Sequence, residues 1–537
     1  MSLALRAALG RVIRCTRQPL LLAACAALLA CGSPASVPPP IDPGVPTRPT
    51  AETISWGFFA YTSDFVSALT SAHQGRATGI LWDEVEQPPG SGNYAWSELD
   101  SLVGNGQTTG TNVVLVLKTG NGSSFSEPDC FRSVEGAAPG DLSSGRHLAS
   151  CPIRPEMENA WSGMVSALVE RYDADGNSDM PGLLGNIRLD IEVENEAASP
   201  QLWDYGETDR TLAADHYLRL LELSYQAKQR ADPQTQVILT GFPHPNLLAR
   251  CDGNPAGPGC TPFIVQSVAF TKRVLARPEI FDAVDVHFFV YYHFEPEFVD
   301  DGFEWVVDEM QRRGYQRPIY GLEWTGSSML HITEGYADEF FDYFPYSANF
   351  TSAAAVQAMY VGLDQPANAT YREWFEAEQA KEFGKLFTNL LARGVRRLVH
   401  VQYSDYHPGG AFNNVYWNWQ GIIKYVGGAP IRKPSYYTSN ILSQRIFGFT
   451  AARRIAQGRD VRLYEFTLPT GEPTYVLWTD GADAVLDLSP VIAGGALRVT
   501  HVVTELDAAG APIVEPEQTV PTTAVPVGDV PVLLKGA

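Results

Sequence analysis

Basic residues are scarce in this chain. Lys and Arg number 39 against 61 Asp and Glu, and the formal charge is −22 over 537 residues. Four of the basic residues, Arg6, Arg11, Arg14 and Arg17, stand in the first 30 positions with no acid among them, so the remainder is more acidic still. Such a body repels phosphate over most of its surface, which argues against a nucleic-acid or anionic-lipid binder. Cysteine is also sparse, with seven residues, no Cys-x-x-Cys and no Cys/His spacing of a zinc site. No internal repeat is found. The apolar run near the N-terminus, residues 19–30, has 12 residues, where a membrane-spanning helix needs about 20. Hydrophobic residues make up 45%, too many for a disordered chain and enough for a core that needs no metal or disulfide merely to fold.

That short apolar run follows a basic stretch, the pattern of a signal peptide. It ends in Leu28-Leu29-Ala30-Cys31. This resembles the lipobox of bacterial lipoproteins, which implies that Cys31 is acylated and becomes the new N-terminus. Leu22-Ala23-Ala24-Cys25 is a weaker match, and an ordinary secretory signal with an incidental cysteine is the plain alternative. Seven prolines fall within residues 32–50, a composition that favours an extended, semi-rigid tether. The expected organisation is signal peptide 1–30, tether 31–51, a large body at 52–432, and a linking helix with a β-domain at 433–537. The expected location is outside the cell membrane, anchored by lipid or secreted. Of the remaining cysteines, sequence proximity pairs Cys130 with Cys151 and Cys251 with Cys260, in keeping with an oxidising compartment.

From Thr53 to Ser404, β-branched runs alternate with amphipathic helical patterns. The runs are 53–58, 77–82, 112–118, 187–195, 236–241, 283–289, 318–324 and 397–404. Between them, Trp161, Met164, Val165, Leu168, Val169 and Tyr172 repeat with helical spacing, as do Phe383, Leu386, Phe387, Leu390 and Leu391. Eight strands alternating with helices predict an α/β fold, a (β/α)8 TIM barrel with long loops. A doubly wound open sheet is the alternative. It calls for a Gly-rich phosphate turn after the first strand, whereas Trp56-Gly57-Phe58-Phe59 offers a single glycine. After Lys433-Pro-Ser-Tyr-Tyr, short strands at 461–467, 474–479, 485–488, 497–504 and 531–534 predict a C-terminal all-β, sandwich-like domain.

Barrel chemistry sits at the C-terminal ends of strands. In the fourth run, Ile187, Leu189, Ile191 and Val193 share one face, and Arg188, Asp190, Glu192, Glu194 and Glu196 share the other. The charged face is expected in the lumen, with Glu196 at its mouth. The seventh run ends in Glu323-Trp324, and the sixth places Asp285 and His287 on one face. Two carboxylates across one barrel mouth are what retaining glycoside hydrolysis requires.

At these residues the chain resembles the retaining glycoside hydrolases of clan A, which carry an Asn-Glu pair at the end of strand four and a Glu at the end of strand seven. Leu81-Trp-Asp-Glu-Val-Glu-Gln, the stretch Gly92–Asp100 and the Pro-Ser-Tyr-Tyr passage into a β-domain agree. The resemblance implies that Glu196 is the acid/base and Glu323 the nucleophile of an O-glycosyl hydrolase acting on a poly- or oligosaccharide. It also implies that Asn195 bonds the sugar 2-hydroxyl and that His287 orients Glu323 or a hydroxyl. Departures are visible. Phe289 stands where a Tyr is common, with Tyr291 or Tyr292 nearby to substitute. Trp82 and Asp83 stand where an Arg is common near the end of strand two. Strand eight ends in Gln402-Tyr403-Ser404, with Trp417 beyond it as a sugar platform. Trp82, Tyr291, Gln402 and Trp417 are thus the further expected substrate contacts. Such chemistry implies no organic cofactor. The alternative is a carbohydrate-binding surface lipoprotein that keeps the barrel without turnover.

Asp173-Ala-Asp175-Gly-Asn177-Ser-Asp179 alternates oxygen ligands around a glycine, as a calcium loop does, though not with EF-hand spacing. A solvated turn after the preceding helix accounts for it equally.

Overall fold

Runs such as Asn112–Lys118, Leu189–Val193, Val237–Phe242 and Ile319–Thr325 form strands that are buried on both sides, in the lumen and beneath a layer of helices. In the computed structural model, residues 55–59, 74–137, 149–257, 260–289, 296–326, 344–363, 365–405, 419–426, 429–457 and 460–537 are described. Strands β1 (Ser55–Phe59), β2 (Gln74–Leu81), β3 (Asn112–Lys118), β4 (Leu189–Val193), β5 (Val237–Phe242), β6 (Ala283–Val286), β7 (Phe288–Phe289), β8 (Ile319–Thr325) and β9 (Arg397–His400) share one sheet. All its pairings are parallel, in the order β6-β5-β4-β3-β2-β1-β9-β8-β7. The short β7 continues β6, and β6 pairs with β8 as well as with β5. The sheet therefore curls round to its own edge, consistent with the expected TIM barrel. The open sheet is not what forms.

Inside the curl, Val114, Ile238, Ala283, Tyr320, Leu322, Val399 and Val401 make an apolar plug. The polar layer around it is paired. Arg397 Nη1 lies 2.6 Å from Asp190 Oδ2, whose partner oxygen accepts from the Gln236 amide at 2.7 Å. The alternation read in the fourth run holds: Asp190, Glu192 and Glu194 are fully buried on the lumen side, while Ile191 and Val193 pack in the outer core. Arg188 lies at the entry end, its side chain 42% exposed.

Outside the sheet, the helix Ala369–Ala392 turns Phe383 and Phe387 onto Trp56 and Trp324. It also buries polar side chains, Gln379, Glu382, Lys385, Thr388 and Asn389 among them. The C-terminal strands supply partners for Lys385 and Asn389. Lys385 Nζ donates to Asp529, Asn389 Nδ2 lies 3.1 Å from Tyr464 Oη, and Arg454 reaches Asp300 at 2.5 Å. Before the C-terminal strands, β10 (Ile423–Val426) and β11 (Ala429–Arg432) pair as an antiparallel ribbon. The C-terminal strands are β12 (Ala451–Gln457), β13 (Val461–Thr467), β14 (Pro473–Thr479), β15 (Ala484–Leu486), β16 (Ala496–His501), β17 (Gln518–Pro521), β18 (Val525–Val527) and β19 (Val532–Gly536). They form a six-stranded antiparallel sheet, β12-β13-β14-β19-β16-β17, and a two-stranded one, β15-β18. The linking helix is Pro434–Ile446, with Pro in its first turn where a missing N–H costs nothing.

Both expected disulfides are present, Cys130–Cys151 and Cys251–Cys260. Among the described residues no helix is long and apolar enough to cross a membrane. Cys31 lies outside the described residues.

Candidate active site

An irregularity in β8, rather than strict alternation, aims Glu323. The register breaks between Gly321 and Trp324, so that Glu323 joins Leu322 on the lumen side and Trp324 points out, against Phe383 and His400 at ring distances of 4.8 Å each. On β6 and its continuation, Asp285 and His287 share the lumen face, with 3.0 Å between Asp285 Oδ2 and His287 Nε2. Beyond Val193 the backbone leaves the strand. Glu194 and Glu196 both take positive φ, 61° and 47°, a conformation costly for residues with a side chain. The kinks send Glu194 to Thr119, whose amide and hydroxyl lie 2.7 and 3.0 Å from its Oε1. They send Glu196 across the mouth to His287, with 2.7 Å between Oε1 and Nδ1. The same imidazole nitrogen is 3.5 Å from Glu323 Oε2. One carboxylate oxygen of Glu196 and one of Glu323 lie within 4.8 Å of each other.

The counter-charge for these acids is Arg76, on β2 and wholly buried. It grips Glu192 with two nitrogens at 2.8 Å each, donates to Glu323, and reaches Asn195 Oδ1 at 2.8 Å. Asn195 and Glu323, expected at the site from sequence, are thus held by one guanidinium. An Arg of this kind was absent from the sequence reading, which began the strand at Ala77. The strand begins three residues earlier. A bulge between Ala77 and Ile80, with Gly79 at φ 80°, breaks the alternation that would have revealed it. The available signal was charge: a lumen lined by carboxylates requires a buried cation.

Burial sets the electrostatics. It pushes the Glu192 carboxyl up to about 7 against the pull of Arg76. It raises Glu194 despite Lys118, and lowers the ammonium of Lys118, a buried residue at the end of β3 that the sequence reading also passed over. Burial acts to raise Glu196 too, but the hydrogen bond and charge of His287 outweigh it and leave that carboxyl low.

Trp82 is corrected by the structure. It is wholly buried, packs on Phe125 and Trp161 at 5.3 and 5.4 Å, and donates to Glu86 at 2.8 Å, so it is core and not a sugar contact. Gln402 is 3% exposed, its carbonyl 3.3 Å from His400 Nδ1. Tyr291 and Trp417 lie outside the described residues. The Asp173 loop keeps oxygens of Asp173, Asp175 and Asp179 within 4.8 Å of one another. Asn177, the fourth expected ligand, instead turns its amide to Asp175 at 2.8 Å.

With this geometry in hand, likeness to known folds can be weighed. No protein-family model and no curated protein matches the chain. Solved structures do. A family 39 glycoside hydrolase from the gut symbiont Bacteroides cellulosilyticus WH2 aligns with a TM-score of 0.54 at 13% identity, covering 91% of this chain and 81% of its own. A conserved exported protein from Bacteroides fragilis aligns with a TM-score of 0.51 at 11% identity, over 92% and 99% of the two chains. The chain shares their fold. At such identities the likeness is one of fold alone, and the chemistry must be argued from the site.

Proposed function

We propose that this chain is a retaining glycoside hydrolase that cleaves O-glycosidic bonds of a poly- or oligosaccharide by double displacement. The observation that carries the reading is the placement of Glu196 and Glu323, oxygens within 4.8 Å, at the C-terminal ends of two opposed strands. Retaining enzymes hold their carboxyl groups about 5–5.5 Å apart, too close for a water between them. Glu323, charge-paired to Arg76 and 8% exposed, suits an ionised nucleophile; Glu196, 20% exposed, suits proton exchange with a leaving group and with water. Asn195, held by Arg76, would bond the sugar 2-hydroxyl. A screen of chromogenic aryl glycosides at mildly acidic pH tests the activity, and proton NMR of the first product tests its stereochemistry. Sugar binding without hydrolysis would favour the non-catalytic alternative; an inverted first product would overturn double displacement.

The organisation that accompanies this reading is a signal peptide at 1–30, a tether at 31–51, a barrel at 52–432 and a sandwich-like domain at 433–537. Acylation of Cys31 would tie the enzyme to a membrane. Fatty-acid labelling is expected in the unaltered protein and lost in Cys31→Ala; equal labelling ends the idea. A structural calcium ion at Asp173, Asp175 and Asp179 is expected to give binding heat and a raised Tm when EDTA-treated protein is titrated with Ca2+. No heat and no stabilisation would remove it.

A further inference from the structure

We propose that Asp285 and His287 form a positioning dyad for Glu196, holding the proton that Glu196 delivers and so fixing the upper pH limit of turnover. This rests on the reading of Glu196 as acid/base. Asp285 is tied at both oxygens. Oδ2 faces His287 Nε2 at 3.0 Å, and Oδ1 accepts from the Leu322 amide at 2.7 Å, one residue before Glu323. Its carboxylate therefore keeps a proton on Nε2 whatever the charge of the ring. That leaves Nδ1 to face both reacting carboxylates, Glu196 at 2.7 Å and Glu323 at 3.5 Å. The ring has no room to turn away. It fills the place of a side chain at Gly241, where a Cβ would stand 1.9 Å from Nε2.

The other charged groups around the ring and its carboxylates come from several strands. They are Glu192 on β4, Glu323 on β8 and Arg76 on β2, the last 4.0 Å from Asp285. Lys118 at the end of β3 acts on Glu196 and Glu323, and beyond β5 the charge of His244 acts on Glu196. Burial disfavours an imidazolium here, but Glu323, Asp285 and the hydrogen bonds to Asp285 and Glu196 prevail and hold His287 well above the usual imidazole range. A raised imidazole keeps its proton through neutral pH and loses it only as pH climbs past the raised value.

The contact between Nδ1 and Oε1 holds one proton, either as imidazolium and carboxylate or as imidazole and carboxylic acid, with the same net charge. In the first half-reaction Glu323 forms its bond to the anomeric carbon and the bond to the leaving oxygen breaks. The shared proton passes to that oxygen, leaving a Glu196 carboxylate beside a neutral ring. In the second, water attacks the anomeric carbon, the bond to Glu323 breaks, and a proton of the water refills the contact. A carboxyl group alone would surrender its proton at lower pH than this pair.

The test is the pH profile of kcat/KM for His287→Gln on a substrate with a poor leaving group. The alkaline limb is expected to move down by about one pH unit or more, while the acid limb stays and a dinitrophenyl glycoside loses a smaller fraction of its rate than the poor substrate does. Asp285→Asn is expected to move the limb the same way by less. A uniform loss of rate with both limbs in place would overturn the proposal, since a merely structural role predicts that. If His287→Gln does not fold, nitrogen-15 NMR of histidine-labelled unaltered enzyme decides. One buried imidazole should lose its Nδ1 proton at the pH of the alkaline limb; a limb that no histidine follows overturns the dyad. Unaltered protein that hydrolyses nothing would remove the glycosidase reading and the dyad with it. An active enzyme whose limb stays put removes the dyad alone.

Discussion

Glu323→Gln is expected to lower kcat by a factor on the order of 10⁴ or more on every substrate the unaltered protein hydrolyses. The amide cannot form the glycosyl-enzyme, and no leaving group compensates for that. Glu196→Gln is expected to behave differently, because its loss is felt only where a proton is needed. Substrates with poor leaving groups should lose most of their rate. Those with very acidic phenols should still glycosylate the enzyme and then accumulate as the adduct, because water lacks its base. Azide, which needs no base, should restore turnover to Glu196→Gln alone and give a glycosyl azide of retained configuration. The assignment of roles fails if the two variants respond alike to leaving group and azide.

Arg76→Met is expected to abolish activity and to cost about 3–5 kcal/mol of stability, because it leaves buried carboxylates without their counter-charge. The side chain is wholly enclosed and bonds Glu192, Glu323 and Asn195 at once, so no water can take its place easily. Denaturant unfolding followed by tryptophan fluorescence measures the loss. Arg76→Lys should recover part of the stability but little activity, since an ammonium cannot make the paired grip on Glu192. The deficit of Arg76→Met should also depend on pH. Glu192 is already pushed up to about 7 by burial, and without the guanidinium it rises further. A carboxyl whose folded value is raised stabilises most below its unfolded value and loses that contribution as pH climbs. The variant should therefore be closer to the unaltered protein at pH 5 than at pH 8. A variant as stable as the unaltered protein at pH 8 would mean that Arg76 does not neutralise the site.

Much of this arrangement was legible because barrel strands obey two simple patterns. Apolar runs such as Val113–Leu117 are buried on both faces and stand out from any surface segment. The alternation from Leu189 to Val193 separates a charged lumen face from an apolar outer one, and that pattern alone groups Glu192, Glu194 and Glu196. Legibility stopped where the backbone departs from regularity. The bulge at Gly79 hid Arg76, and the turn after Leu81 carried Trp82 into the core instead of the cleft. β12, Ala451-Ala-Arg-Arg-Ile-Ala-Gln457, is not among the expected strands; it has a single β-branched residue, and its pairing with β13 holds it in the sheet instead of propensity. Asp285 and His287 were placed on one face from spacing alone. That the ring faces Glu196 more closely than Glu323 depends on the kinked backbone at Glu194 and Glu196, which has no sequence signature.

The helix Ala369–Ala392 bears on how the molecule melts. Lys385 and Asn389 point away from the barrel, yet are kept dry by Asp529 and Tyr464 of the C-terminal strands. A chain cut after Arg432 would hand these groups to water together with the apolar contacts around them, and the helix holding Trp56 and Trp324 in place would lose one of its two supports. The C-terminal strands are then a wall of the barrel and not a detachable passenger. Heating should unfold both in one calorimetric transition, and neither piece should survive expression by itself as a folded protein.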